Sequence, residues 1–430
     1  MTAVILATTG LLFMLTRIIG VRQMMLAVML VRPSCDQIFG WLKTSPAAQG
    51  PGAAINALVI AMAIFALAYV PTTVLTPSVL AWAGFLFVAL ASLLQSADPI
   101  GGLRVFLILS TYAAVFTLTY TLTQNRQALA RCLSVALCSS FIPSISALLE
   151  LTMTPAILTG SQRLQSTFTH PNIYAFFIVS VVTLILFILS STTVTISTFI
   201  RRALLVYAGY LVFLLLLTGT RSAWLSMVIV ITGYAIVVDR RWLLPVLSLP
   251  VALIIPGVSE RLSELGLGTI DAGYEHLNSY SWREAIWNQT LVWLAANPPG
   301  VTGYGLDSYQ SYVPLFFPRG EGQTGVGPHN AFLQIYFEMG IAGLTSFLLL
   351  MATIAFKLIS RSRDDFAGSF VMFMMLVGYT VVFYGDNLLD YLQFQWFFWF
   401  TLGSVCASAR FAGYPSSARR GARRHVSTGR

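Results

Sequence analysis

Apolar blocks recur along almost the whole chain, at residues 3–31, 54–70, 78–95, 103–122, 129–150, 173–190, 203–218, 222–238, 242–256, 331–356, 368–384 and 392–409. Blocks of about 17 to 25 residues are what a helix needs to cross a hydrocarbon core of about 30 Å. In that solvent the backbone is satisfied only within helices or closed barrels. With 57% hydrophobic and 10% charged residues, the chain carries more apolar surface than a water-soluble fold could hide. The expected fold class is therefore an all-α polytopic membrane protein of about twelve transmembrane helices. The first block is long for one straight helix and contains Arg17, Gly20 and Arg22. It reads as a broken helix or as two short ones, which makes thirteen spans the alternative count. Met1 to Thr16 lacks a basic start and a small-residue cleavage site, so it reads as a retained membrane segment and not as a signal peptide.

Short loops rich in Lys and Arg tend to stay on the cytoplasmic side. Under this count Arg201-Arg202, Arg240-Arg241, the loop Lys357 to Arg363, the turn Asn125 to Arg131 and the tail Arg419 to Arg424 all fall on one side, which is read as cytoplasmic. Ser96 to Gly102, Gly160 to Pro171, Thr218 to Arg221, Tyr384 to Tyr391 and a long loop over 257–330 then share the opposite, outer face. The chain divides into helices over 1–256, this large outer loop, helices over 331–409 and a basic cytoplasmic tail over 410–430.

The net charge of +9 resides mainly in those short loops and the tail. Topology and contact with anionic membrane lipids account for it, and no nucleic-acid-binding module is present. There is no internal repeat of the kind that marks many transporters. Cys35, Cys132, Cys138 and Cys406 form no CxxC pair, and the four histidines, His170, His276, His329 and His425, form no HxxxH pair. With no DxD cluster either, neither a metal site nor any other cofactor is expected.

Arginines outnumber acids on the outer face, a balance that favours an anionic ligand held by guanidinium groups. Arg221 sits in Thr218-Gly-Thr-Arg-Ser-Ala-Trp224 between two blocks. It reads as a functional residue or as an arginine reaching to the headgroups. The long loop adds Arg261, Arg283 and Arg319. Ser281 to Ala296 reads as an amphipathic helix lying on the membrane, with Trp282 and Trp293 suited to its interface, and Arg283 either faces the site or pairs with Glu284 or Glu275. The glycines after Arg319 suit a flexible flap, not a nucleotide loop. His329 stands at the start of the block over 331–356. A helix N-terminus disfavours the imidazolium there, so the ring reads as a proton acceptor, with simple helix capping as the alternative. Glu338 lies too far along the same helix to touch His329 and reads as a partner for a polar group on a neighbour.

Gly327-Pro-His-Asn-Ala-Phe-Leu-Gln-Ile-Tyr-Phe-Glu-Met-Gly-Ile-Ala-Gly343, the 218–224 segment, Trp282-Arg283 and Arg163-Leu-Gln-Ser-Thr-Phe-Thr-His-Pro-Asn172 together resemble the O-antigen ligase and polymerase family. The similarity runs from about residue 30 to 409, and the His-Asn…Glu-x-Gly segment is its most specific part. The resemblance implies a GT-C-like membrane fold in the bacterial inner membrane with an active site on the periplasmic face. It implies a metal-independent, inverting glycosyltransferase that moves a glycan from undecaprenyl-pyrophosphate to an acceptor glycan, either lipid A core or another lipid-linked repeat. Carried over by motif, Arg221 and Arg283 bind the donor pyrophosphate and His329 assists the acceptor hydroxyl. Arg163, Asn172, Arg319, Asn330, Gln334 and Glu338 are the further candidates for substrate contact. The segment Leu30-Val-Arg-Pro-Ser-Cys-Asp36 leans towards exopolysaccharide polymerases of the same family. A transporter or flippase of the lipid-linked glycan is the competing class.

Overall fold

The computed structural model describes residues 18–42, 52–247, 279–317 and 327–410, with isolated positions outside those stretches. Among the described residues all regular structure is helical. The chain runs through α1 (Val21–Val31), α2 (Asp36–Trp41), α3 (Gly52–Tyr69), α4 (Pro77–Leu93), α5 (Pro99–Leu122), α6 (Arg126–Cys138), α7 (Phe141–Met153) and α8 (Pro171–Ser190). It continues through α9 (Thr198–Leu217), α10 (Arg221–Val237), α11 (Leu243–Leu247), α12 (Ser279–Ala296), α13 (Tyr309–Phe316), α14 (Ala331–Arg361), α15 (Phe366–Gly385) and α16 (Leu392–Ser408). Among the described residues seven helical stretches are long and apolar enough to cross a membrane: α3, α5, the α6–α7 pair, α8, α9, α14 and α15. The apolar helices α4 and α10 are shorter. All of these fall on apolar blocks of the sequence, and they make the protein polytopic.

Helix starts follow local chemistry. The Asp98 carboxylate accepts from the N–H of Ile100 at 3.1 Å, ahead of Pro99 at the first helical position of α5, and Asn125 accepts from the N–H of Ala128 at 2.9 Å to open α6. The centre of the bundle is α8, whose apolar window is 94% buried against 33% for α3 and for α9. It packs against α6, α9, α10, α15 and α16. Phe87, Ile64, Phe199 and Val206 stay exposed on the peripheral helices, as lipid-facing side chains should.

The two ends of the bundle are chemically distinct. At one end the buried Arg361 donates to Asp365 (2.8 Å), Ser408 (2.7 Å) and Ser369 (2.9 Å), and Ser191 donates to Asp365. Arg361 belongs to the loop Lys357 to Arg363, which the basic-residue count assigned to one face, and Asp365 and Ser369 follow it directly. Residues assigned to the outer face meet at the other end, described below.

One device shapes that end. Helix α14 is interrupted at Gly340, whose φ is +63°. Residues 301–305 lie in the break: Tyr304 N–H donates to Phe337 O at 3.0 Å, Gly305 N–H to Glu338 O at 3.0 Å and Ala342 N–H to Val301 O at 3.1 Å. Ser92 also donates to Glu338 O, at 2.6 Å. A β-carbon on Gly303 would stand 2.3 Å from the Glu338 carbonyl, and one on Gly340 would stand 2.4 Å from Val301 O. Glycine is required at both places by contact as well as by dihedral.

The part of the outer loop that is described is held to the bundle by aromatic packing. Trp293 and Tyr304 lie 5.7 Å and 4.9 Å from the Phe337 ring of α14, with Tyr309, Tyr312 and Phe316 around them. Trp282 and Trp293, expected at the membrane interface, are half-buried and pack on other parts of the protein. Trp293 belongs to a small protein core, and Trp282 packs on Phe317 and His329.

Candidate functional site

Asp386 is the hub of this second end of the bundle. It follows the last residue of α15 and its side chain is fully buried, while the His329 side chain that faces it is 32% exposed. Its Oδ1 accepts from the Tyr391 hydroxyl at 2.9 Å and from the Asn387 N–H at 2.9 Å, and lies 3.4 Å from His329 Nδ1. Its Oδ2 accepts from Asn172 Nδ2 at 2.6 Å. Burial alone would raise this carboxyl, but the His329 hydrogen bond, the nearby Arg283 charge and the Tyr391 hydroxyl outweigh it and hold Asp386 below the ordinary carboxylate range. A carboxylate fixed at Nδ1 favours the tautomer with its proton on that nitrogen and leaves Nε2 as the accepting atom.

The backbone reinforces the placement of His329. Its φ of +48° is left-handed, an uncommon conformation for a side-chain-bearing residue. The N-cap of α14 is Asn330, whose Oδ1 accepts from the Leu333 N–H at 3.1 Å. His329 is therefore not the capping residue. The Trp282 ring lies 5.5 Å from the His329 ring, and Trp287 Nε1 donates to Pro328 O at 2.6 Å. The start of α12, including Arg283, is thereby held against the histidine.

Arg163 and Asn172 form a second layer. Arg163 Nε donates to Thr218 O at 2.7 Å, and its Nη2 donates to Asn172 Oδ1 at 2.6 Å and to Thr220 Oγ1 at 2.8 Å. Asn172, at the start of α8, thus carries the arginine's influence to Asp386. His170 Nδ1 caps the same helix by accepting from the Asn172 N–H at 3.1 Å, and burial, then Arg163, lower its proton affinity. The anchored turn over 218–220 presents Arg221 as the first residue of α10, and Ser222 Cβ lies 3.9 Å from where a β-carbon of Gly385 would stand. Arg221, Arg283, His329, Arg163 and Asn172 are therefore gathered at one end of the bundle around a residue that sequence reasoning did not single out. The signal was present: Asp386 is an ionisable residue at the end of an apolar block, the same pattern that flagged Arg221.

The remaining candidates scatter by role. Gln334 lies one turn into α14 with a buried Oε1 that has no hydrogen-bond partner, and Asn387 Oδ1 is in the same condition. Glu338 is 5% exposed, and its carboxylate lies against the backbone N–H groups of Tyr309 and Asp307, so it serves the loop docked at the α14 break. Arg319 and Arg261 lie outside the described residues, as do most of the glycine-rich flap and the basic tail. Among the described residues no group of three or more His, Cys, Asp or Glu side chains is placed to hold a metal ion.

Residues 206–348 match the family model described as O-Antigen ligase. An O-antigen ligase of Salmonella typhimurium strain LT2 is 28% identical over 204 residues, which are 43% of this chain and 48% of that protein. Both findings support the O-antigen ligase family. The match to the Salmonella O-antigen ligase spans about half of that protein's length. The matched region 206–348 includes Arg221, Arg283 and His329, but Arg163, Asn172 and Asp386 fall outside it and reach the site only through the fold.

Proposed function

We propose that the protein is a glycosyltransferase of the bacterial inner membrane that moves a glycan from undecaprenyl-pyrophosphate to an acceptor sugar hydroxyl at the periplasmic end of the bundle. The observation that carries this reading is the pairing of the accessible His329 ring with buried Asp386, beside Arg283 and the anchored Arg221 turn. His329 Nε2 takes the proton of the acceptor hydroxyl while Nδ1–H donates to Asp386. The acceptor oxygen forms a bond to the anomeric carbon as that carbon's bond to the pyrophosphate oxygen breaks. The electron pair leaves with undecaprenyl-pyrophosphate, whose developing charge Arg221 and Arg283 stabilise. Displacement in a single step inverts the anomeric carbon and calls for no metal ion. The unpartnered Gln334 Oε1 and Asn387 Oδ1 are suited to sugar hydroxyls. Arg319 is assigned to the donor by motif alone. About twelve spans complete the topology, with α4, α10, α16 and the apolar blocks over 3–31 and 242–256 crossing alongside the seven longer helices.

The test is transfer by purified protein in detergent, supplied with a lipid-linked oligosaccharide and either lipid A core or a second lipid-linked repeat. Transfer with no second compartment separates a transferase from a flippase, and the product that grows identifies ligase or polymerase. His329→Ala and Arg221→Ala should abolish transfer at unchanged protein level. Full transfer by both variants would overturn the reading.

A further inference from the structure

The segment Leu30 to Asp36 takes no part in the site above, yet it contains a buried cation. Arg32 is 4% exposed, and its Nε and Nη1 have no hydrogen-bond partner. The nearest acid in sequence is engaged elsewhere: Asp36 Oδ2 accepts from the Thr169 N–H at 3.0 Å and from its hydroxyl at 2.9 Å, and Oδ1 accepts from Gln393. Asp36 still favours the Arg32 charge through space, but the side chains in contact with the guanidinium are aromatic, with its Cζ 5.1 Å from the centre of Phe39 and 5.5 Å from that of Trp396. Cation–π contacts offset only part of the cost of burying a charge that has no hydrogen-bonded counter-ion.

A cavity of about 220 Å³ is lined in part by the Arg32 side chain. Apart from Arg32 and Cys35 its lining is apolar, with Val28 and Val31 of α1, Phe39, and Ile55 and Leu58 of α3. Its rim reaches the surface at Ala27 and at Val31, which is 50% exposed. Those positions belong to an apolar helix on the outside of the bundle. The depth is fixed by the neighbouring turn: Gln37 Nε2 donates to Ser166 O at 2.7 Å and to Phe168 O at 3.0 Å, and the Thr167 hydroxyl donates to Pro33 O at 2.9 Å. Arg32 therefore lies at the same end of the bundle as His170 and Asp386, at the level of headgroups and not of chain ends.

The geometry points to a binding site for a membrane phospholipid, its phosphate on Arg32 and an acyl chain along the groove between α1 and α3. An anion at the cavity wall supplies a counter-charge to a guanidinium that lacks a hydrogen-bonded carboxylate, and charge complementarity selects phosphate over a neutral headgroup. The apolar walls require that the anion carry a hydrocarbon chain. Free phosphate would leave them in contact with water. The site is independent of the transfer reaction proposed above.

Native mass spectrometry of the delipidated, detergent-purified protein tests this with three probes: phosphatidylglycerol, dioleoylglycerol and inorganic phosphate. The wild type should hold one phosphatidylglycerol at least tenfold more tightly than dioleoylglycerol, and inorganic phosphate should neither bind comparably nor displace it. Arg32→Gln removes the anion contact, and Ala27→Phe fills the groove with the guanidinium intact. Each should weaken phosphatidylglycerol at least tenfold. Because Ala27 is on the exposed rim, its variant decides the matter if Arg32→Gln does not fold. A second readout separates ligand binding from a structural role. In lipid-free detergent Arg32→Gln should melt no lower than wild type, and added phosphatidylglycerol should raise the melting temperature of the wild type only. Equal retention of phosphatidylglycerol by wild type and both variants, equal binding of dioleoylglycerol, or equal binding of inorganic phosphate would each overturn the proposal.

Discussion

Asp386→Asn is the sharpest probe of the proposed chemistry, because the change alters charge and donor pattern without altering volume. In the wild type all the surrounding groups donate: His329 Nδ1, the Tyr391 hydroxyl and the Asn387 N–H to Oδ1, and Asn172 Nδ2 to Oδ2. An amide has one accepting atom, so its NH2 must face one of these sets. Turned towards Asn172 it meets another NH2, and Asn172 cannot invert freely because its Oδ1 is held by Arg163 at 2.6 Å and by Thr220 at 3.2 Å. Turned the other way it meets His329 and favours the tautomer with the proton on Nε2, which cannot accept one from the acceptor. Hydrogen bonds to charged groups are worth about 1.5–3 kcal/mol, and about 1.4 kcal/mol corresponds to tenfold in rate. The 3.4 Å separation belongs at the weaker end, so the expected loss in kcat is about tenfold to a hundredfold. The assay is transfer from the lipid-linked donor, normalised to the amount of folded protein, with kcat and KM determined separately. Asp386 touches His329 and not the donor, so KM for the donor should stay within about twofold, well under the tenfold that 1.4 kcal/mol of lost binding would produce. Wild-type kcat, or a loss confined to KM or to protein yield, would refute the idea that Asp386 works through the histidine.

Two further outcomes concern the scaffold. Gly340→Ala forces a side chain onto a φ of +63° and against Val301 O, and should cost about 2 kcal/mol or more, read as a lower melting temperature in detergent; an unchanged value would mean that residues 301–305 are not docked in the α14 break. Asp307 has a φ of +61°, which asparagine tolerates well, and burial, then Asp98, raise its carboxyl against the opposing pull of Arg104. A carboxyl raised in the fold contributes stability that is fully present below the ordinary carboxylate range and is lost as pH rises through the raised value. Asp307→Asn should therefore raise the melting temperature, and by more at pH 8 than at pH 5. A larger gain at pH 5 would contradict this assignment.

What could be read from the sequence depended on how far apart the cooperating residues lie. Helix positions are local matters of hydropathy and capping, and the apolar blocks coincide with the described helices. The gathering of Arg163, Asn172, Arg221, Arg283 and His329 at one end followed from counting loops, since alternate loops of a serpentine chain share a face. The partner of His329 is 57 positions away and that of Asn172 is 214 positions away, and neither pairing leaves a periodic trace. Nor does the sequence announce the break at Gly340, because an isolated glycine in an apolar helix is ordinary in membranes.

The ranking of helices from centre to periphery was lost for a physical reason. Lipid chains and protein interior are about equally apolar, so hydropathy reports that a segment leaves water without reporting what it meets. The window of α3 has a mean hydropathy of 2.1 and is 33% buried, while that of α5 has 1.7 and is 67% buried. Polar residues inside the blocks carry the missing information. Thr111, Thr117, Thr119 and Thr121 of α5 and Gln393, Gln395, Thr401 and Ser404 of α16 are all buried. Thr111, Thr119, Thr121 and Ser404 donate to helix carbonyls, Gln393 donates to Asp36, Trp396 Nε1 donates to Thr111 at 2.9 Å and Gln395 Nε2 donates to the Tyr379 hydroxyl at 3.0 Å. A polar side chain facing lipid would be left unsatisfied, so its presence mid-helix marks a face turned towards protein. By that criterion α5 and α16 are interior helices from sequence alone. Asp386, which lies in the loop between α15 and the interior helix α16, would have been a candidate on the same footing as Arg221.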